Sequence, residues 1–212
     1  MRSLISAATT IATAAAALLL QLPVRAADLP PALAQTENRI VPVAAWGGTP
    51  ADPAKARKHT IKHITLHHQG EPFPEGKDPQ LYLRKLQTWS RNTKHWLDIP
   101  YHYIIDLDGR IYEGRSIDYA GDTNTEYDPT GHALIEVVGN FEEVQPNQKQ
   151  LDATADLMAL LAMKYNVAPA TIHGHKDYSA QTVCPGVNLY RYLENGYLRD
   201  QVTQRLQSSL SK

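Results

Sequence analysis

The sequence predicts an α/β fold in which a central mixed β-sheet is flanked by helices. Candidate strands alternate with candidate helices along the chain, which is typical of helices that cover a sheet. An Asp-Gly dipeptide at residues 108–109 lies between two short apolar segments and predicts a hairpin. The chain of 212 residues is 42% hydrophobic and 20% charged, as expected of one globular domain with a short appendage.

The N-terminal segment, residues 1–26, is predicted to be a secretory signal peptide. A basic start precedes an apolar run, and small or medium residues precede the cleavage expected after Ala26. The alternative is an uncleaved membrane anchor, but the run is rich in alanine and threonine and a cleavage site follows it. We therefore expect a periplasmic or secreted protein without stable membrane insertion. Residues 27–40 are expected to be a flexible lead into a domain spanning residues 41–212.

The first half of this domain contains a strand, a helix and a hairpin. Residues 61–68 alternate polar and apolar side chains, which predicts a strand with one face of each kind. Residues 78–94 carry leucines and Trp89 at helical spacing, with Asp78 as the N-cap. Residues 101–115 predict two short strands around the Asp-Gly turn.

The second half contains a buried strand and further helices. Residues 132–141 are largely apolar and predict a buried strand, and residues 146–167 predict an amphipathic helix. Residues 171–175 predict a short strand end, and residues 187–207 a helix broken at an Asn-Gly pair. Sheets of this kind place ligands at strand ends and in the adjacent loops.

Three segments concentrate side chains that are able to bind a soft or borderline cation such as zinc: "LHHQG" at residues 66–70, "HGH" at residues 173–175, and Cys184, the only cysteine of the chain. Zinc accepts imidazole nitrogen and thiolate sulfur, and a catalytic zinc site typically has three protein ligands and one position for water. The spacing matches no zinc-finger pattern. The residues alone therefore leave an inert buried thiol, an intermolecular disulfide and a nucleophile as alternatives to a metal ligand.

Four segments occur in the order typical of one family: "ITLHHQG", "DIPYHYIIDLDGRIYEGR", "IEVVGNF" and "GHKDYSAQTVCPG". Through them the chain, from about residue 43 to residue 190, resembles the zinc-dependent N-acetylmuramoyl-L-alanine amidases. These share a fold with the peptidoglycan recognition proteins and the phage lysozyme-type amidases. The resemblance implies a Zn²⁺ cofactor, a peptidoglycan or muropeptide substrate, and hydrolysis of the amide bond between N-acetylmuramic acid and L-alanine.

The resemblance implies that His67, His175 and Cys184 bind the metal. Relatives that only bind peptidoglycan usually lack the third ligand, so its presence favours an enzyme. Nine positions separate the last two ligands, one more than in many relatives, and we expect the intervening loop to bulge. His68 should face away from its neighbour on the strand. His173 is expected to lie beside the metal without binding it, and is the alternative to His175.

The resemblance also implies three catalytic residues. Glu136 aligns with the general base of the cytoplasmic recycling amidases of this fold, and its apolar neighbours on the strand should raise its pKa by desolvation. Tyr101 matches a tyrosine beside the reacting water and could donate a hydrogen bond to the tetrahedral intermediate. Thr182 stands where the family has threonine or lysine near the oxyanion. Because it is not lysine, this position supplies no cation.

Other residues receive structural or open interpretations. Asp177 should either orient His175 or cap the following loop. Arg110 and Arg115 could meet acidic groups of a stem peptide, although exposed arginine is more often merely solvated. The tryptophans are expected in the core or in the wall of a groove (Trp46, Trp89 and Trp96).

Two other functions are possible on this sequence. One is a non-catalytic module that binds peptidoglycan. The other is a thiol hydrolase with Cys184 as nucleophile and His175 as base. The net charge of −1 gives no electrostatic reason to expect nucleic acid as a partner, and we expect a monomer.

Overall fold

A five-stranded mixed sheet organises the computed structural model, which describes residues 29–210. The strands are β1 (His63–His68), β2 (Tyr103–Ile105), β3 (Ile111–Glu113), β4 (His132–Val137) and β5 (His173–Gly174). Their order across the sheet is β3-β2-β4-β1-β5; β2 and β3 are antiparallel and the other neighbours are parallel. The predicted α/β fold is confirmed.

Helices cover both faces of this sheet. They are α1 (Pro31–Asn38), α2 (Pro79–Asn92), α3 (Gln148–Tyr165), α4 (Val187–Glu194) and α5 (Tyr197–Leu210). Helices α1, α3, α4 and α5 pack with Ile64 and Leu66 in the larger apolar core. Helix α2 packs on the opposite face, where Leu83 contributes to a smaller core with Trp46 and Ile104. The site described below lies on the α2 side.

Strand β1 lies inside the sheet, between β4 and β5. The alternation that predicted it is real, because Ile64 and Leu66 enter the larger core. Its polar side chains Thr65 and His67 are buried as well. Both belong to the opposite face of the sheet, where Thr65 hydrogen-bonds His132 and His67 lines a cleft.

Helix α1 differs from the flexible lead expected for residues 27–40. Leu29 and Leu33 enter the larger core, and Leu33 is only 2% exposed. Glu37 forms an ion pair with Lys164 of α3, so the segment is fastened to the domain by polar contacts too. The predicted signal peptide, residues 1–26, lies outside the described residues. Among residues 29–210, no helix is long and apolar enough to cross a membrane.

Helix α2 begins as predicted, with the Asp78 carboxylate accepting a hydrogen bond from the backbone N–H of Gln80 at 2.8 Å. Its buried face differs from the leucine pattern. Leu81 is 43% exposed, whereas Gln87 is buried because its amide bonds Asp98 in the protein interior. The polar partner, which lies in a later segment, could not be read from helical spacing.

Helices α3 to α5 follow the prediction closely. Asn147 and Gln150 form a capping box at the start of α3. Most of α3 is buried, because it lies between the sheet and α1 and α5. The predicted break between α4 and α5 is confirmed at Asn195 and Gly196, where Gly196 has φ of 85°.

Candidate active site

Three donor groups meet at one edge of the sheet. His67 lies near the end of β1, and His175 opens the 3₁₀ turn His175–Asp177 directly after β5. Parallel neighbouring strands end at the same edge, so the two imidazoles approach each other, with ring centroids 4.6 Å apart. Cys184 completes the group: the ligand atoms of the three residues all lie within 4.8 Å of one another.

The chemistry of this group fits zinc. Zinc prefers imidazole nitrogen and thiolate sulfur, and it requires neutral imidazole. Burial lowers the pKa of His67 well below its ordinary value and that of His175 to about 4, so both rings are neutral at pH 7. The buried Nε2 atom of His67 has no hydrogen-bond partner in the described part of the chain. The Cys184 sulfur lies 3.6 Å from Nδ1 of His67.

His175 is oriented by a threonine that the sequence did not suggest. Oγ1 of Thr125 lies 2.8 Å from Nε2 of His175, which leaves Nδ1 of that ring as the nitrogen available to a metal. Oγ1 of Thr125 is also 2.8 Å from Oγ1 of Thr123. Such outer partners fix the tautomer and orientation of a ligating histidine. Thr125 lies in a loop outside any motif, so no pattern marked it.

The loop around Cys184 is held by backbone contacts. The N–H of His68 donates to the Cys184 sulfur at 3.3 Å, and the N–H of Cys184 donates to Oγ1 of Thr182 at 3.1 Å. The Cys184–Pro185 peptide bond is cis. Gly186 has φ of 86°, and a Cβ there would come within 2.6 Å of a backbone carbon of Phe141. Glycine is therefore required at this position, two residues after the cysteine.

Glu136 lies beside the three donors. In the parallel pairing of β1 and β4 its register partner is His67, so the two side chains point from the same face. Glu136 is 1% exposed, and burial raises the pKa of its carboxyl group to about 7. The hydroxyl of Tyr82 on α2 donates a hydrogen bond to Oε1 at 2.6 Å, which opposes this rise.

Tyr101 completes the constellation predicted from the sequence. Its ring centroid lies 5.1 Å from that of His67. Burial, with the nearby Glu136 charge, raises the pKa of the Tyr101 phenol well above 10. The phenol therefore keeps its proton at neutral pH and remains a hydrogen-bond donor.

An open cleft of about 470 Å³ gives access to all of these groups. One wall is a stripe along α2 formed by Tyr82, Leu86 and Trp89, which share a helix face by their spacing. Trp89, 42% exposed, meets Trp96 edge to face at 5.8 Å. Trp46 is fully buried in the smaller core. The tryptophans thus divide between core and groove wall, as expected.

Residues 57–187 match the family described as N-acetylmuramoyl-L-alanine amidase. This segment is more than half of the chain and contains every donor group of the site. The chain belongs to this family.

The amidase-family chain is similar in sequence to peptidoglycan recognition proteins. It is 30% identical to peptidoglycan-recognition protein SD of Drosophila melanogaster over 167 residues, covering 76% of this chain and 87% of that protein. It is 26% identical to peptidoglycan recognition protein 1 of Mus musculus over 166 residues, covering 77% and 90%. Family membership and these relatives show that the function of this chain is related to peptidoglycan.

Solved structures of an amidase and of a peptidoglycan recognition protein share the fold of this chain. The N-acetylmuramoyl-L-alanine amidase LysC from Clostridium intestinale superposes with a TM-score of 0.61 at 27% identity, covering 74% of this chain and 95% of LysC. A human peptidoglycan recognition protein in complex with glycosamyl muramyl pentapeptide superposes with a TM-score of 0.64 at 26% identity, covering 73% of this chain and 94% of that protein. The fold therefore occurs in an amidase and in a protein that binds a muropeptide.

His68 and His173, the histidines closest in sequence to His67 and His175, lie outside the donor cluster. Nδ1 of His68 accepts a hydrogen bond from the backbone N–H of Phe141 at 3.2 Å, on the side away from His67. His173 is half-exposed, and its Nδ1 lies 3.6 Å from the Asp177 carboxylate. That carboxylate also accepts a hydrogen bond from the N–H of Gly174, so it caps the 3₁₀ turn, and the described contacts of His175 do not include it.

The two arginines are structural or solvated in this amidase-family fold. Arg115 is buried and donates to the backbone carbonyls of Ile99 and Ala120, and it forms an ion pair with Asp122. It holds the loop of the cleft wall and cannot meet a stem peptide. Arg110 is exposed, outside the cleft lining.

Proposed function

We propose that this chain is a zinc-dependent N-acetylmuramoyl-L-alanine amidase, which hydrolyses the amide bond between N-acetylmuramic acid and L-alanine of peptidoglycan. One observation carries the proposal: two neutral imidazoles and a thiol converge within 4.8 Å, next to a buried carboxyl group, in an open cleft. A binding module needs neither the third metal ligand nor a carboxyl group of raised pKa. Amide hydrolysis can use both.

His67, His175 and Cys184 would hold the zinc ion, which supplies polarisation of a carbonyl and lowers the pKa of water. Glu136 takes a proton from the attacking water and later delivers it to the nitrogen of the leaving amine. Burial raises the pKa of its carboxyl group above the ordinary value, which makes it a stronger base than an exposed carboxylate and still able to return the proton.

Two hydroxyl groups serve the oxygen that becomes negative. Tyr101 keeps its proton and can donate to the tetrahedral intermediate, as a preorganised donor in a partly closed site. The Thr182 oxygen accepts the N–H of Cys184, so its own hydrogen remains available to a substrate oxygen. Both donors are neutral, in keeping with the absence of lysine at position 182.

The proposal also covers the localisation and the oligomeric state of the protein. Peptidoglycan lies outside the cytoplasm, so we expect export to the periplasm or medium with cleavage after Ala26, followed by action as a monomer. N-terminal sequencing of the exported protein tests the cleavage site. Recovery of a protein that retains residues 1–26 would contradict it.

A second candidate is a module that binds muropeptides without cutting them. The recognition proteins among the relatives favour it. A thiol hydrolase has less support, because the described sulfur contacts of Cys184 involve His67 and the backbone of His68, and none involves His175. Burial also raises the pKa of the thiol to about 12, so without a bound metal this group is not the thiolate that a nucleophile needs, whereas zinc would itself deprotonate a coordinating thiol.

Metal analysis combined with mass spectrometry of digested cell wall separates these functions. The wild-type protein should contain about one zinc ion and release stem peptides with free N-terminal L-alanine. Cys184→Ser should lose zinc and activity together, whereas Glu136→Ala should keep zinc and lose rate by about 10²- to 10⁴-fold, the range of a general base. Glu143→Ala, at an exposed turn, is the control. Binding of cell wall without release of amino groups would favour the binding module.

A further inference from the structure

Tyr82 is the partner of Glu136 that the family motifs do not include. The two residues are 54 positions apart and belong to different elements, α2 and β4. The phenol O–H donates to Oε1 of the carboxyl group at 2.6 Å, a short distance for a tyrosine and a carboxyl group. Burial and the Glu136 charge raise the pKa of Tyr82 well above 10, so the donor proton stays on the phenol.

The position of Tyr82 is fixed from several sides. The ring of Phe73 packs against it edge to face at 5.5 Å and 86°. The ammonium group of Lys77 lies 5.5 Å from the centroid of the Tyr82 ring. The capped first turn of α2, which begins at Asp78, holds the backbone. The hydroxyl is therefore a rigid donor aimed across the cleft floor at the carboxyl group.

This contact makes the two oxygens of Glu136 unequal. Oε1 is occupied by the phenol, and Oε2 has no hydrogen-bond partner within residues 29–210. A carboxyl group held at one oxygen loses the freedom to rotate about its last bond, so only the other oxygen can meet a reacting group. The entropy of orienting the carboxyl group is therefore lost when the protein folds and not when the substrate binds.

We propose that Tyr82 is the positioning residue of Glu136: it holds Oε1, so that Oε2 receives the proton of the attacking water and returns it to the leaving nitrogen. This inference rests on the proposed amidase function. The proton moves from water to Oε2 and from Oε2 to the amine, and Tyr82 neither gains nor loses one.

The test is Tyr82→Phe, which removes one hydroxyl and keeps the ring against Phe73. We expect kcat on a soluble muropeptide to fall about 10- to 100-fold, part of the 10²- to 10⁴-fold effect of a general base. KM should change less than about twofold, and the zinc content should be unchanged. Tyr112→Phe is the matched control. The Tyr112 hydroxyl donates a hydrogen bond of 2.9 Å to a buried carboxylate, that of Asp106, and neither residue lines the cleft. This variant should lose similar stability and keep kcat.

A double-mutant cycle separates positioning from structural damage. In the Glu136→Gln background, Tyr82→Phe should cause no further loss of the residual rate, because the group it positions is gone. An equal fold-loss in both backgrounds would overturn the inference. So would an unchanged kcat of Tyr82→Phe in an active wild-type background.

A crystal structure gives a readout that does not depend on activity. Tyr82→Phe should show the Glu136 carboxyl group rotated or in more than one conformer, and an unchanged single conformer would contradict its positioning by Tyr82. A wild-type chain that binds zinc but releases no L-alanine amine would instead overturn the proposed function and the catalytic part of the inference with it.

Discussion

The carboxyl group of Glu136 should cost the folded protein stability at neutral pH. Burial raises its pKa to about 7 from an ordinary 4.5. Between these two values the folded state holds more protons at this group than the unfolded state, so stability falls as the pH rises through the window. Glu136→Gln removes the titration, and the amide oxygen can still accept the hydrogen bond from Tyr82.

The size of the effect follows from the two pKa values. Each tenfold change in proton affinity is worth about 1.4 kcal/mol, so full ionisation of the buried carboxyl group costs about 3 kcal/mol above pH 7. At pH 5 the folded carboxyl group is still protonated and only the unfolded one has ionised, which gives about 1 kcal/mol. We therefore expect Glu136→Gln to stabilise the protein by about 1 kcal/mol at pH 5 and about 3 kcal/mol at pH 8.

Urea unfolding of the chelator-treated protein at pH 5, 6, 7 and 8 measures this difference, since a bound cation would lower the pKa of the carboxyl group. The titrating histidines are common to both proteins and cancel in the comparison. Glu143→Gln makes the same change of side chain at an exposed position outside the site and is the matched control. A stabilisation by Glu136→Gln that does not grow between pH 5 and pH 8 would refute the assigned environment of Glu136.

Three further outcomes follow from the structure. Thr125→Val should weaken zinc binding by about 10- to 100-fold in a chelator competition, because His175 loses its orienting partner; an unchanged affinity would contradict that role. Leu33→Ala should lower the free energy of unfolding by about 2–5 kcal/mol in urea, whereas no loss would mean that α1 is not docked. Gly186→Ala should lower both the melting temperature and zinc affinity, because its Cβ would clash with the backbone at Phe141; a normal melting temperature would exclude the clash.

The sequence was sufficient for the sheet and most helices, because their signals are local. The alternation in residues 61–68 and the Asp-Gly turn correspond to β1 and to the β2–β3 hairpin. The convergence of His67, His175 and Cys184 followed from the family resemblance, and physically it requires parallel strands that end at one edge. No spacing rule in the sequence contains that information.

The residues that sequence reasoning missed act across the fold. Tyr82 reads as part of an apolar helix face, and its contact with Glu136 exists only because α2 lies over β4. Thr125 reads as a loop residue, and only the folded chain brings it to His175. Arg115 was expected at the surface, but three backbone carbonyls and an acidic partner hold it inside. Long-range partners of polar side chains carry no periodic signal.

The central claim is that two imidazoles and one thiolate bind a single zinc ion, and X-ray absorption at the zinc edge tests it most directly. The zinc-loaded wild-type protein should show one sulfur at about 2.3 Å together with nitrogen or oxygen ligands near 2.0 Å. Cys184→Ser should lose the sulfur shell. A wild-type protein that binds no zinc, or whose zinc has no sulfur neighbour, would contradict the account.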